Sequence, residues 1–262
     1  MPSTYAHYLY GKKIIERLDE PIKNIILNNR EIFNIGLHGP DILFYFRPIV
    51  KNKINSIGYK IHDEIARDFF EKTIEVIKKS KDKDGATAYV LGFICHYILD
   101  SECHPYISKK IKESNIPHVE IEAEFDKILL KKEKVKLSGH NFTEHLIPKK
   151  EYSEVISPFF NIDDKYIDKS IKYMKLCNSM LTTDSKILRG LLEVILKVTG
   201  NYDKIEGMIM SKRNNPGCTD SNDILYKLFI DSLPVAEKMI KVYVDVLDNN
   251  VVLPDRFDRN FE

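Results

Sequence analysis

The run Tyr89-Val-Leu-Gly-Phe-Ile-Cys-His-Tyr-Ile-Leu-Asp100 constrains this chain more than any other segment. As a helix it would be apolar nearly all the way round, so it must be enclosed by other elements rather than laid on a surface. It is too short to cross a bilayer, which leaves the middle of a helical bundle. Its two polar residues, His96 and Asp100, are four apart, so their side chains lie over one another on a helix. A carboxylate sunk in such a run is costly unless something pairs with it. Together the imidazole and the carboxylate can offer one nitrogen and one oxygen to a metal without moving the backbone.

Helical periodicity governs the rest of the chain. Ser3 or Thr4 caps a predicted helix to Leu18, with Tyr5, Leu9, Ile14 or Ile15 and Leu18 on one side. Pro21 starts another, carrying Ile22, Ile25, Ile26 and Leu27. Gly36, Gly39, Pro40 and Pro48 punctuate residues 31–57, which reads as a long ordered loop. Helices are expected over 58–80, with Ile61, Ile65, Phe69, Ile74 and Ile77 inward, and over 86–103. Pro105 disfavours helical geometry at His104, placing that residue at a bend. Pro117 fits the first turn of the next helix, and further helices are expected at 149–158, 164–182, 184–199, 219–231 and 234–248, with a loop at 211–218. No alternating run is long enough for a sheet and no repeat has solenoid spacing. The expectation is an all-α, single-domain multi-helix bundle over residues 1–262.

The chain has 40 Lys and Arg against 39 Asp and Glu, mixed along its length. That balance excludes a duplex-DNA binder, which needs a phosphate-neutralising stripe. The start of the sequence has no basic region followed by an apolar one, so a cytoplasmic location is expected. Four cysteines form no CxxC pair and read as reduced core thiols, with a thiolate ligand from Cys103 as the minor alternative. No GxSxG elbow, Walker A loop or GxGxxG fingerprint occurs. Nothing points to an obligate protein partner.

All eight histidines fall between His7 and His145. Six interleave with acids: His7, His38-Gly-Pro-Asp41, His62, His96-x-x-x-Asp100, His104 and His118-x-x-x-Glu122. One HxxxD pair is a weak signal, but two such pairs joined by a histidine are much stronger, and imidazoles with carboxylates suit a multinuclear transition-metal site. His38 reads as a turn or supporting histidine, and His140 and His145 as structural or surface groups. Phe44, Tyr45 and Phe46 read as core, with one or two as pocket walls. Lys-rich runs at 78–83 and 131–136 read as solvated helix ends, with attraction to anionic lipid as a lesser role.

The ordered set His7, Asp41, His62, His96-x-x-x-Asp100, His104, His118-x-x-x-Glu122 resembles the zinc-dependent phospholipase C family, relatives of the S1/P1 nucleases on a shared all-helical, trinuclear zinc scaffold. The glutamate that closes the last motif resembles the phospholipase branch. The resemblance implies one zinc on Asp41, His62, His96 and Asp100, and a second on His104, His118 and Glu122. A third would use His7, a bridging Asp100 and the backbone of the first residue, Pro2 or a retained Met1. The family's usual first residue is a tryptophan, and this chain has none.

The reaction so implied is phosphodiester hydrolysis, in which a water activated by the zincs, or oriented by Asp41, attacks phosphorus. The expected substrate is a phospholipid or another phosphodiester, met in transient contact with a membrane surface. An S1/P1-like single-strand nuclease or nucleotidase and a non-catalytic zinc-binding protein are the two alternatives, since fold and metals do not separate them.

Overall fold

The computed structural model describes residues 4–137, 140–183, 185–198, 200, 202, 206–209, 213–249 and 251–261. Among them every regular element is a helix. Helices α1 (Thr4–Arg17), α2 (Glu20–Asn28) and α3 (Arg30–Gly36) lead into a 3-10 turn at Gly39–Tyr45, then α4 (Lys53–Asp63) and α5 (Ala66–Lys79). The long α6 (Lys83–Ser114) and α7 (His118–Lys132) follow, then α8 (Lys150–Phe160), α9 (Asp164–Leu181), α10 (Lys186–Val198) and α11 (Thr219–Asn249). No helix of the described residues is long and apolar enough to cross a membrane.

The apolar run at 89–100 forms the middle of α6, where every residue from Gly85 to Ser101 is buried. Helices α1, α2, α3, α5, α7, α8 and α11 pack around it. The approach of α3 is close, because two glycines meet there. A methyl group on Gly36 would lie 2.1 Å from the Tyr89 carbonyl oxygen, and one on Gly92 2.3 Å from that of Phe33. This contact sets the following 3-10 turn directly on His96. Gly39, at φ +46°, passes so near that a Cβ would strike the His96 ring at 2.3 Å, so only glycine meets both demands.

Several expected boundaries differ, each for a physical reason. The expected loop at 31–57 holds α3, the 3-10 turn and the start of α4. Asn52 caps α4 by accepting from the amides of Ile54 and Asn55, while the Asn55 side chain accepts from the Asn52 amide, a capping box built from asparagines alone. The single helix expected at 58–80 is two. Glu64 and Ile65 are extended between them, and the freed Ala66 amide donates to the Arg259 carbonyl at 3.0 Å. Ile65 is consequently exposed, and α5 buries Ala66, Phe70, Thr73 and Ile77.

His104 lies at no bend, because α6 continues through Pro105 to Ser114. Proline lacks the amide that would bond the Ser101 carbonyl, and the Arg259 guanidinium donates to that oxygen instead. Pro117 is the N-cap of α7 rather than part of its first turn. The two helices expected at 219–231 and 234–248 are one, α11, with Pro234 inside it. Its missing amide leaves the carbonyl of Ile230, a residue exposed to water that can satisfy it. In the expected 211–218 loop, Pro216–Cys218 form a 3-10 turn, and residues 211–212 lie outside the described residues.

Candidate metal centre

Four elements around α6 bring the acid and imidazole side chains together. Because α6 is unbroken, His96, Asp100 and His104 recur every four residues and form one stripe. Helix α1 supplies His7, the 3-10 turn Asp41, α4 His62, and α7 His118 and Glu122. All eight are buried except His118, which is partly open.

Asp100 is the hub. One of its oxygens lies 3.2 Å from His7 Nε2 and 3.6 Å from His104 Nε2, and the other 3.0 Å from His96 Nε2. Asp41 Oδ1 is 2.8 Å from His62 Nε2 and 3.8 Å from His96 Nε2. Glu122 Oε1 is 3.1 Å from His118 Nε2 and 3.6 Å from His104 Nε2. Four groups result whose ligand atoms lie within 4.8 Å of one another: His7, His96 and Asp100; Asp41, His62 and His96; His62, Asp100 and His104; His104, His118 and Glu122. The amino group and carbonyl of Pro2 or Met1 lie outside the described residues.

The donor set fits a transition metal. His96 Nε2 sits 3.0 Å from a carboxylate oxygen yet hydrogen-bonds to nothing. The Nδ1 atoms of His7, His96 and His104 are likewise buried without a hydrogen-bond partner. Each unsatisfied buried nitrogen costs about 1–3 kcal/mol, and a cation coordinated by a ring nitrogen removes that cost for it. A cavity of about 20 Å³ lined by His7, Asp100, Cys103, His104 and Glu122 has room for one water-sized body.

Charge is arranged to keep the acids ionised. Burial pushes the carboxyls up, but facing positive charge outweighs it: Asp41 is lowered to about 2, with His96 and His62 among the causes, while His96, His104 and His7 hold Asp100 well below the usual range. Glu122 is likewise depressed well below the usual range, with His118 and His104 among the causes. Burial lowers His96, keeping its ring neutral. At His104 burial also lowers the pKa, but Asp100 and Glu122 prevail and raise it to about 9. Burial pushes the Cys103 thiol well up, so it remains a thiol.

Asp126 had no signal of its own in the sequence. One turn beyond Glu122 on α7, it accepts from the amides of Tyr5 and Ala6 at 3.2 and 2.8 Å and so clamps the start of α1, which carries His7. Burial pushes its carboxyl up, against two amide donors and a helix N-terminus that favour the anion. Phe261 also escaped notice. It packs 4.9 Å from His62 and 6.0 Å from His96 and closes the centre from behind. His38 and His145 form a supporting pair, with Nε2 atoms 2.7 Å apart and His145 stacked on Tyr8 at 4.1 Å. His140 meets Tyr5 and Phe142 edge-on.

The centre opens on a cavity of about 220 Å³ lined by Asp41, His62, His104, His118 and Glu122, with Phe44, Tyr59, Asp63 and Val119 as its other walls. Of the three adjoining aromatics, Phe44 lines it, whereas Tyr45 and Phe46 are in the core.

The sequence model of zinc-dependent phospholipase C matches residues 6–180, which include all eight of these side chains. The chain belongs to the zinc-dependent phospholipase C family. No curated protein and no solved structure matches it. Membership in this hydrolase family names zinc as the metal, and the imidazole–carboxylate donor set is one that zinc accepts.

Proposed function

We propose that this family member is a phosphodiesterase of the phospholipase C type, which hydrolyses the bond between the glycerol oxygen and the phosphorus of a phospholipid. In this reading His7, Asp41, His62, His96, Asp100, His104, His118 and Glu122 hold up to three zinc ions, with the chain's first residue contributing to the third. The observation that carries it is the opening of a buried multi-carboxylate, multi-imidazole cluster onto a cavity with apolar walls. Zinc in such a cluster supplies Lewis acidity, lowering the pKa of water towards about 7 and offsetting charge on phosphoryl oxygens.

The chain's own residues do the rest. Asp100, in reach of three imidazoles, fixes the spacing of the groups. Asp41, kept ionised, accepts a hydrogen bond from the attacking water and so orients it, and His62 holds that carboxylate at 2.8 Å. His96 stays neutral through burial, which is the state a metal ligand needs. Phe44, Tyr59 and Val119 exclude water from the substrate's side.

The test is a panel on zinc-loaded protein: phosphatidylcholine, a soluble phosphodiester reporter, single-stranded DNA, RNA and nucleotides, each with Asp100→Asn as control. Hydrolysis of phosphatidylcholine and the reporter, lost in the variant, is expected. Turnover confined to nucleic acids would replace this reading with a nuclease, and zinc binding without any turnover would replace it with a non-catalytic protein.

A further inference from the structure

Helix α10 turns most of its apolar side chains to solvent. Ile187 and Val198 are 83% exposed, Leu188, Leu191 and Val194 are 55–57% exposed, and Ile195 joins them. Only Leu192 and Leu196 point inward, where they pack with Leu181, Val119, Tyr202 and Ile209. At one residue per 100°, the outward side chains fill an arc of about 120°. Lys186 and Lys197 lie on the same flank of the helix, about 16 Å apart along its axis, with Glu193 between them and the Lys197 ammonium over the Tyr202 ring at 4.7 Å, and the helix carries three basic residues to this one acid. An exposed aliphatic face of this size marks a surface meant to be covered.

Its place in the fold suggests by what. Val119, packed on the inward leucines, also lines the cavity at the metal centre, beside His118. Tyr59, in another wall of that cavity, adjoins a groove of about 750 Å³ with Ile49, and Ile49, Val50 and Tyr59 are all exposed. Exposed apolar side chains therefore flank the opening on two sides, on α10 behind Val119 and at Ile49, Val50 and Tyr59.

We propose that α10 is the surface by which the protein docks on a phospholipid bilayer containing anionic lipid. Ile187, Leu191, Val194 and Val198 enter the acyl boundary, Lys186 and Lys197 lie at phosphate level, and Ile49 and Val50 form a second foothold. The inference rests on the phospholipase reading of the cavity. A helix about 20 Å long with cations along one edge of its apolar face has the form of an interfacial helix. A second copy would set two lysine-edged faces against each other, like charge on like, whereas anionic lipid brings the opposite charge.

The chain holds no tryptophan, so Val194→Trp creates a single reporter on this face. With vesicles of seven parts phosphatidylcholine to three of phosphatidylglycerol, its emission should shift to the blue and be quenched by brominated acyl chains. An unchanged spectrum overturns the proposal, as does emission that is already blue in lipid-free protein sedimenting as a dimer. Leu191→Asp with Val194→Asp should weaken vesicle binding and hydrolysis of vesicle lipid by roughly tenfold or more, while turnover of the soluble reporter stays at the parent rate. Equal binding by this variant and its parent also overturns docking. Failure of the parent to cleave the soluble reporter would instead refute the phospholipase reading.

Discussion

At the scale of single residues, Asp100 decides whether the centre holds together. Asn in its place keeps the shape but removes the charge shared by His7, His96 and His104. Asp100→Asn should lower both zinc content and turnover, the latter by about 100-fold or more. His145→Phe should preserve the stack on Tyr8 and the zinc content, and lower only the melting temperature, because His38 loses its partner. Elemental analysis and a thermal melt of the two variants separate these outcomes.

The same groups set a pH dependence for metal-free protein. Asp41, Asp100 and Glu122 have depressed pKa values; their stabilisation is complete above the ordinary carboxylate range and is lost as pH falls below that range through the lowered values. His104 is raised to about 9 from 6.5, so its contribution is complete below 6.5 and is lost as pH rises through about 9. His96 and His145, both lowered by burial, lose their contribution as pH falls below 6.5, so urea midpoints after chelation should peak near pH 6.5 and decline on both sides. Adding zinc, which replaces the proton on His104, should abolish the alkaline decline.

The convergence of these side chains was legible at this scale because ligand chemistry uses few residue types at helical spacings. Asp126 and Phe261 were not, since what they do depends on the start of α1 and on the segment after α11, both distant in sequence.

At the scale of elements, proline was the main source of misreading. Local sterics at Pro105 argue for a break, and only Arg259, more than 150 residues later, rescues the Ser101 carbonyl and keeps His104 in the Asp100 stripe. Arg259→Ala should cost about 1 kcal/mol, since the side chain is partly solvated, and should weaken zinc binding through His104. Urea denaturation and zinc titration check the two effects. Gly36 and Gly92 raise the opposite problem. Gly36 looks like loop punctuation in a sequence and Gly92 like a neutral position inside an apolar helix, but their use is the contact of two helix backbones. Gly92→Ala should cost about 1–3 kcal/mol by forcing α3 off α6, and should disturb Asp41 through the turn that follows. A melt with parallel turnover of the soluble reporter measures both.

At the scale of the whole molecule, the all-α architecture was readable because α6 admits no other surroundings, and the long buried cluster from Tyr5 to Phe261 forms around it. The exposed face of α10 was not readable, because an amphipathic pattern does not say which way the helix is turned. Candidate ligands come from α1, the 3-10 turn, α4, α6 and α7, so a metal held by them would cross-link these elements, and its removal should lower the melting temperature of the whole protein. Elemental analysis of protein purified without chelator bears on every step from sequence to proposed reaction. About two to three zinc ions per chain are expected, and a content near zero in active protein would contradict the zinc-centred reading.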